Sequence, residues 1–275
     1  MDAAEVEARL AAIAATAGGG VFGVAARSLH GPQEVLLNPD EPFNAASVIK
    51  IAIMVEVFRQ AEEGLLDLET RVRLRDTDKV GGSGILRVLS PGVELPIIDL
   101  VRLMIVVSDN TASNILLDIV GMERVNETMR SLGFTEIVLR RKFMMVPVAR
   151  PIPNTITPRD MTGLLEKIAR CQVVSAWACG EMVRIMKEQQ HNDLIPALLP
   201  VPRDEDQLLA GEMPRVEIAH KTGSVSGVRH DAGIVYVPGR DYVLTILSKD
   251  LSSPRDGEEA IRRISLELYR YFAGV

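Results

Sequence analysis

The feature that most constrains the fold is the order of the hydrophobic periods. Strand-type patterns lie near both ends of the chain, and a long helix-type block separates them. Residues 2–16 are Ala-rich with apolar positions at helical spacing, and Gly18-Gly19-Gly20 stops them. Val21 to Arg27 and Gln33 to Asn38, joined through His30-Gly31-Pro32, read as a β-hairpin. From Ser47 an apolar helix runs to Gly64, and helical patterns follow at about 97–106, 112–119, 123–131, 159–170 and 179–190. After a passage with Pro196, Pro200, Pro202 and Pro214, strand patterns return at Val216 to Thr222, Ala232 to Val237 and Tyr242 to Leu247. Pro238-Gly239-Arg240-Asp241 joins the last two, and Ser253 to Phe272 closes the chain as a helix. Strands from both ends can share one sheet if the helical block is inserted between them. This predicts a discontinuous α/β domain (residues 1–45 and 213–275), an all-α domain (46–212) and a cleft between them, where small-molecule sites tend to form.

Composition narrows the function classes. At 275 residues the chain can bury a core without metals or disulfides. Its 31 Lys and Arg against 37 Asp and Glu leave a net charge of −6, which gives no electrostatic reason to bind nucleic acid. Cys171 and Cys179 lack zinc spacing and read as two free thiols. His30, His191, His220 and His230 are scattered, so neither a metal nor a cofactor is expected. The most apolar stretch, Ile97 to Val107, is broken by Asp99 and Arg102 and is too short for a membrane span. The sequence begins Met-Asp-Ala-Ala-Glu, acidic where a secretory leader carries positive charge. As it stands the chain reads as cytoplasmic, or as periplasmic or secreted if a leader was trimmed.

Three short motifs carry chemistry. In Ser47-Val48-Ile49-Lys50, residues three apart share a helix face, so the Lys50 amine can reach and activate the Ser47 hydroxyl. A serine at a helix N-terminus also places backbone N–H groups and the positive dipole end near a developing oxyanion. Roughly one Ser-x-x-Lys arises by chance in a chain of this size, and its plain alternative is a capping serine with a solvated lysine. Ser108-Asp109-Asn110 falls between two helical patterns. It is either an interhelical turn with Asn110 or Thr111 as N-cap, or a proton-relaying hydroxyl with an amide that holds a substrate carbonyl. Lys221-Thr222-Gly223-Ser224 ends a strand pattern. There a glycine permits close approach of a ligand, Lys221 adds charge for an anionic group and Ser224 N–H can donate to an oxyanion. The alternative is a strand-end bulge with an exposed lysine.

Together and in this order, Ser-x-x-Lys, Ser-Asp-Asn and Lys-Thr-Gly resemble the class A β-lactamases and penicillin-binding proteins. The resemblance extends to Gly82-Ser83-Gly84-Ile85-Leu86 with Pro91-Gly92, Thr111 to Leu117, Thr155-Ile156-Thr157-Pro158 and Gly227-Val228-Arg229-His230-Asp231. It implies Ser47 as acylated nucleophile, Lys50 as base or proton relay, and Ser108 as shuttle to the leaving nitrogen. It further implies Asn110 as a substrate-binding amide, and Lys221, Thr222 and Arg229 as the carboxylate site. Backbone N–H groups of Ser47 and Ser224 become the oxyanion hole. The implied ligand is a small-molecule β-lactam or a peptidoglycan-like substrate of a monomeric enzyme. Alternatives on the same fold are an esterase, a D-amino-acid peptidase or a penicillin-binding sensor module.

One departure stands out. Class A enzymes carry a deacylating glutamate in Glu-x-x-Leu-Asn, whereas residues 139–154 here contain no acidic residue and no Leu-Asn. Glu136 lies too early, and Glu166 reads as a solvated helix residue. The stretch carries Arg140, Arg141, Lys142 and Arg150 instead, a cationic lip able to attract anionic substrates. Acylation through Lys50 is expected, with slow release of the acyl group.

Overall fold

The β-branched runs at the two ends of the chain meet in one antiparallel sheet. A computed structural model describes residues 2–144, 152–201 and 216–275. Arg150, Pro202, Pro214 and the expected 212/213 boundary lie outside the described residues. The N-terminal strands Val21–Ser28 (β1) and Glu34–Leu37 (β2) pair next to Glu217–Val225 (β7), Val228–Tyr236 (β8) and Tyr242–Lys249 (β9) in the order β2-β1-β9-β8-β7. The joint between the chain's two ends is β1 against β9, with Val24 opposite Ile246 and Ala26 opposite Leu244.

Both faces of the sheet are covered, which explains why its strands read as nearly continuous apolar runs. One face takes Ala3–Ala15 (α1) and Pro254–Ala273 (α8), whose Val6, Leu10, Ile261, Ile264 and Leu268 pack with Phe22, Val24 and Ile246. Asp2 starts α1 with a capping box to Glu5, and left-handed Gly274 ends α8. The other face packs Ala219, Ile234, Val243 and Leu247 against the helical block.

At the centre of that block lies Lys50–Glu62 (α2). Its Ile51, Ala52, Ile53, Met54, Val55, Val57 and Phe58 are all fully buried, as expected of a helix apolar around most of its surface. Its one buried carboxylate, Glu56, accepts hydrogen bonds from Arg59, Gln60 and Thr128. Burial opposes that charge, but these donors hold Glu56 below the usual carboxylate range. Around α2 stand Ile97–Val106 (α3), Asn110–Val120 (α4), Met122–Ser131 (α5), Pro158–Ala169 (α6) and Ala176–Lys187 (α7).

The block expected as all-α also contains strands. Phe43–Asn44 (β3) pairs with Thr155–Ile156 (β6), and Arg71–Arg73 (β4) pairs with Glu94–Pro96 (β5). Segments of two or three residues are too short to show a period. Cys171 is an exposed free thiol and Cys179 a buried one. No helix among the described residues is long and apolar enough to cross a membrane. Among those residues, no group of three or more His, Cys, Asp or Glu is arranged to hold a metal ion.

Candidate active site

The three motifs converge beside the N-terminus of α2. Ser47 lies in the turn just before that helix, not within its first regular turn. Lys50 N–H bonds to Ser47 O at 3.2 Å and Ile51 N–H to Val48 O at 3.1 Å, so the chain enters α2 through tighter i to i+3 bonds. The preceding Ala46 has φ 45°, a left-handed conformation costly for a residue with a side chain and common where function dictates geometry. Across the cleft, strand β7 comes so close that a Cβ on Gly223 would lie 3.1 Å from Ser47 N. The glycine of Lys-Thr-Gly is therefore needed for close approach of backbone to backbone, whereas the sequence suggests close approach of a ligand. The motif sits within β7, which continues to Val225 because Ser224 and Val225 still pair with Arg229 and Val228.

Lys50 is completely buried. Its Nζ donates to Ser108 O at 2.8 Å, Ser108 Oγ at 3.2 Å and Asn110 Oδ1 at 2.9 Å. Burial first, and the charge of Lys221 second, push its amine well below the ordinary lysine range, against the pull of Asp109. The shift favours the neutral amine, the form that a base requires.

Ser108 is held by its neighbours in a conformation it would not choose alone. It is buried with φ 55°. Asp109, rather than Asn110 or Thr111, caps α4, because its carboxylate accepts from Ala112 N–H at 2.9 Å. The same carboxylate accepts from Ile85 N–H at 2.7 Å and Leu86 N–H at 2.8 Å. Gly84 fits here because its φ is 106° and a Cβ would come within 2.2 Å of the Asp109 carboxyl carbon. Asn110 is tied as well, donating Nδ2–H to Gly81 O while its Oδ1 receives Lys50. The Ser-Asp-Asn triplet and the Gly82–Leu86 segment thus form one interlocked unit.

Lys221 is also fully buried, not the exposed lysine of the plain alternative, and donates to Thr222 O at 2.9 Å. Burial pushes its amine down to about 7, with Asp231 opposing. Beside it His220 pairs with Asp231 at 2.9 Å, and Asp231 also accepts from Ile195 N–H. Ser47, Ser108, Thr222, Gly223, Ser224 and Arg229 line one cavity of about 210 Å³, together with Ser83, His191, Asp193, Leu194 and Glu258. The Arg229 guanidinium donates to Glu258 at 2.8 Å and to the Val228 carbonyl at 2.8 Å. Glu258 was beyond sequence reasoning, since it arrives from α8.

A second cavity of about 140 Å³ opens on the other side of Ser47, lined by Asn44, Ala46, Gly82, Ser83, Asn110, Asn154, Ser224, Val225 and residues 141–144. None of these is Asp or Glu. Asn114 grips Phe143 at both backbone groups, accepting from its N–H at 2.8 Å and donating to its C=O at 2.9 Å. The Phe143 ring centroid then lies 4.6 Å from Lys50 Nζ, a cation–π distance. The loop therefore turns an aromatic face, not a carboxylate, toward the buried amine. Phe143 also went unrecognised in the sequence.

The acidic residues flanking the loop are occupied elsewhere. Glu166, expected to be solvated, is half-buried on α6 and pairs with Arg27 of β1 and Arg170. It fastens α6 to the sheet and lines neither cavity. Glu136 is exposed, and its N–H donates to Asp160.

An antiparallel sheet with an inserted helical block, and a cleft holding a serine, a buried lysine and a second serine, define the class: a serine hydrolase working by acyl transfer. The chain belongs to the β-lactamase enzyme family, whose sequence profile matches residues 5–272. It is 29% identical to β-lactamase L2 of Stenotrophomonas maltophilia, over 82% of this chain and 72% of that one. Against the extended-spectrum β-lactamase PER-1 of Pseudomonas aeruginosa it is 24% identical, over 89% and 81%. Among solved structures, a β-lactamase from Sphaerobacter thermophilus superposes with TM-score 0.89 at 33% identity, covering 100% of this chain and 99% of that one. PBP-A gives TM-score 0.86 at 26% identity, covering 100% and 98%, and a mutant of it has been solved as an acyl-enzyme with penicillin G.

Proposed function

We infer that the protein is a class A-like serine β-lactamase that acylates on Ser47 and releases the acyl group slowly. The observation that carries this reading is the burial of Lys50 against Ser108 and Asn110, beside the cavity that Ser47 lines together with Thr222, Gly223 and Ser224. The Ser47 hydroxyl attacks the β-lactam carbonyl carbon. Its proton passes to neutral Lys50, and the carbonyl electron pair moves onto the carbonyl oxygen, whose negative charge accepts hydrogen bonds from the N–H groups of Ser47 and Ser224. Collapse of the tetrahedral intermediate breaks the C–N bond. Lys50 returns the proton through Ser108 to the leaving nitrogen, leaving an ester on Ser47. The substrate carboxylate rests on Lys221, Thr222 and Arg229, and Asn110 holds the acyl amide. On this reading the described residues 2–45 with 216–275 supply one lobe and the helical block the other. We propose that it acts as a monomer.

Hydrolysis of the ester needs an activated water. Phe143 occupies the space over Lys50, and among the described residues no carboxylate lines that side of Ser47. This favours a long-lived acyl-enzyme over rapid turnover. The test is a time course of intact protein mass after a pulse of benzylpenicillin. An adduct on Ser47 that persists for many minutes agrees with the proposal, and one that clears within seconds shows an efficient hydrolase. Absence of any adduct, with turnover of ester or D-amino-acid peptide substrates, would move the assignment to those activities.

A further inference from the structure

The cationic stretch at 140–142 has a chemical meaning that appears when its side chains are sorted by partner. Arg140 is committed, donating to Pro153 O and Thr155 Oγ1. Lys142 is neutralised by Asp118. Arg141 is different. Asn154 fixes its backbone, accepting from its N–H at 3.0 Å and donating to its C=O at 3.1 Å. Its guanidinium has neither a hydrogen-bond nor an acidic partner among the described residues. Half-buried Arg141 lines the second cavity beside Ser47, Asn110 and Ser224, where no residue is acidic. Residues 145–151, which follow it, contain no Asp or Glu in the sequence.

Resting on the reading above, the two cavities divide the substrate at Ser47. The carboxylate next to the scissile nitrogen lies in the cavity of Thr222 and Arg229, so the acyl side chain enters the one lined by Asn110 and Arg141. We propose that Arg141 is a specificity-determining residue that selects acyl donors carrying an anionic group on the acyl side chain. A guanidinium with no acidic partner among the described residues, in a partly water-excluded cavity, attracts such a group more strongly than it would on an open surface. The planar fork also suits a carboxylate. The contrast with the first cavity supports this, because there Glu258 already compensates Arg229.

The experiment compares acylation of Ser47 by benzylpenicillin and by carbenicillin, which is benzylpenicillin with a carboxylate on the side-chain α-carbon. Both carry the ring carboxylate, so the ratio of their second-order acylation constants isolates the added charge. In the wild type that ratio is expected to fall several-fold as salt is raised, and in Arg141→Gln to fall about tenfold. Arg141→Lys, which keeps the charge, should retain most of it. An unchanged ratio in Arg141→Gln overturns the proposal, as does an equal loss for both penicillins. Failure of both penicillins to label the wild type overturns the underlying reading instead, and this proposal with it.

Discussion

On the β7 side of Ser47 the polar groups are answered by a neighbour. Lys221 has a carbonyl beside it and Asp231 nearby, Arg229 has Glu258, and Gly223 lets the strand lie against the nucleophile's N–H. On the loop side the same serine faces an aromatic ring and an arginine whose guanidinium has no partner among the described residues, with no described carboxylate. The two walls therefore serve different steps. The strand wall, with Lys50 and Ser108, supplies what forming an acyl-enzyme needs. The loop wall lacks what breaking one quickly needs. On the proposed mechanism, a cleft built this way captures an acyl group more readily than it releases it.

The strongest way to break this comparison is to remove the group both walls share. Ser47→Ala should abolish the covalent adduct with benzylpenicillin and lower hydrolysis by at least about 10⁴-fold. Labelling that survives in this variant would place the nucleophile elsewhere and dissolve the distinction between the walls.

Next in size is a change that makes the loop wall competent. Asn114 fixes the backbone of Phe143 independently of its side chain, so Phe143→Glu sets a carboxylate over Lys50 on an unaltered scaffold. A positioned general base contributes about 10²–10⁴-fold, so the acyl-enzyme lifetime should shorten by about 100-fold. Phe143→Gln is the matching control and should gain little, because an amide does not take the water's proton. Equal lifetimes for the Glu variant and the wild type would show that something other than the missing carboxylate limits release.

A tenfold effect is expected from the charge of the strand wall. Lys221, with its amine pushed down to about 7, loses most of its proton between pH 6 and 8.5 in the unliganded enzyme. The KM for benzylpenicillin should rise about tenfold over that range as the carboxylate loses its counter-charge. Lys221→Arg should flatten the profile. The linkage for stability also has a definite sign. The unfolded chain binds the Lys221 proton more tightly than the folded one, so this buried lysine costs stability below about pH 7. The cost fades as pH rises toward the ordinary lysine range. A KM independent of pH would remove Lys221 from carboxylate binding.

Much of the strand wall was legible in the sequence, and the reason is physical. Ser47, Lys50, Ser108, Asn110 and Lys221 lie in short motifs because each pair must be set by local backbone geometry. The helix at 97–106 showed its period across three turns, as did the strands at both ends. What escaped was produced by folding at a distance. Phe143 carries no charge to mark it and gains its position only through Asn114, 29 residues earlier. Glu258 reaches Arg229 because α8 folds back over the face of the sheet. Glu166 looked solvated because nothing local reveals that Arg27 of β1 lies against α6. The capping role of Asp109 depends on Gly84 allowing its carboxylate to sit so close.

The smallest expected effect sharpens the contrast between the two arginines. Arg229 and Glu258 are about one-fifth and one-quarter exposed, so their ion pair is partly screened by water. The guanidinium is also held by carbonyl oxygens of Val225 and Val228, which do not depend on Glu258. Glu258→Gln should therefore leave Arg229 in place while returning its charge to the cavity. A partly exposed pair of this kind is worth about 0.2–1 kcal/mol, which translates into a gain of about threefold in the second-order acylation constant for carboxylate-bearing β-lactams. Because Glu258 lies on the strand wall, carbenicillin and benzylpenicillin should gain equally, whereas Arg141→Gln separates them. A fall in acylation for Glu258→Gln would mean that the carboxylate is needed to hold Arg229 in its productive position, and that the strand wall depends on this pair as much as on the strand itself.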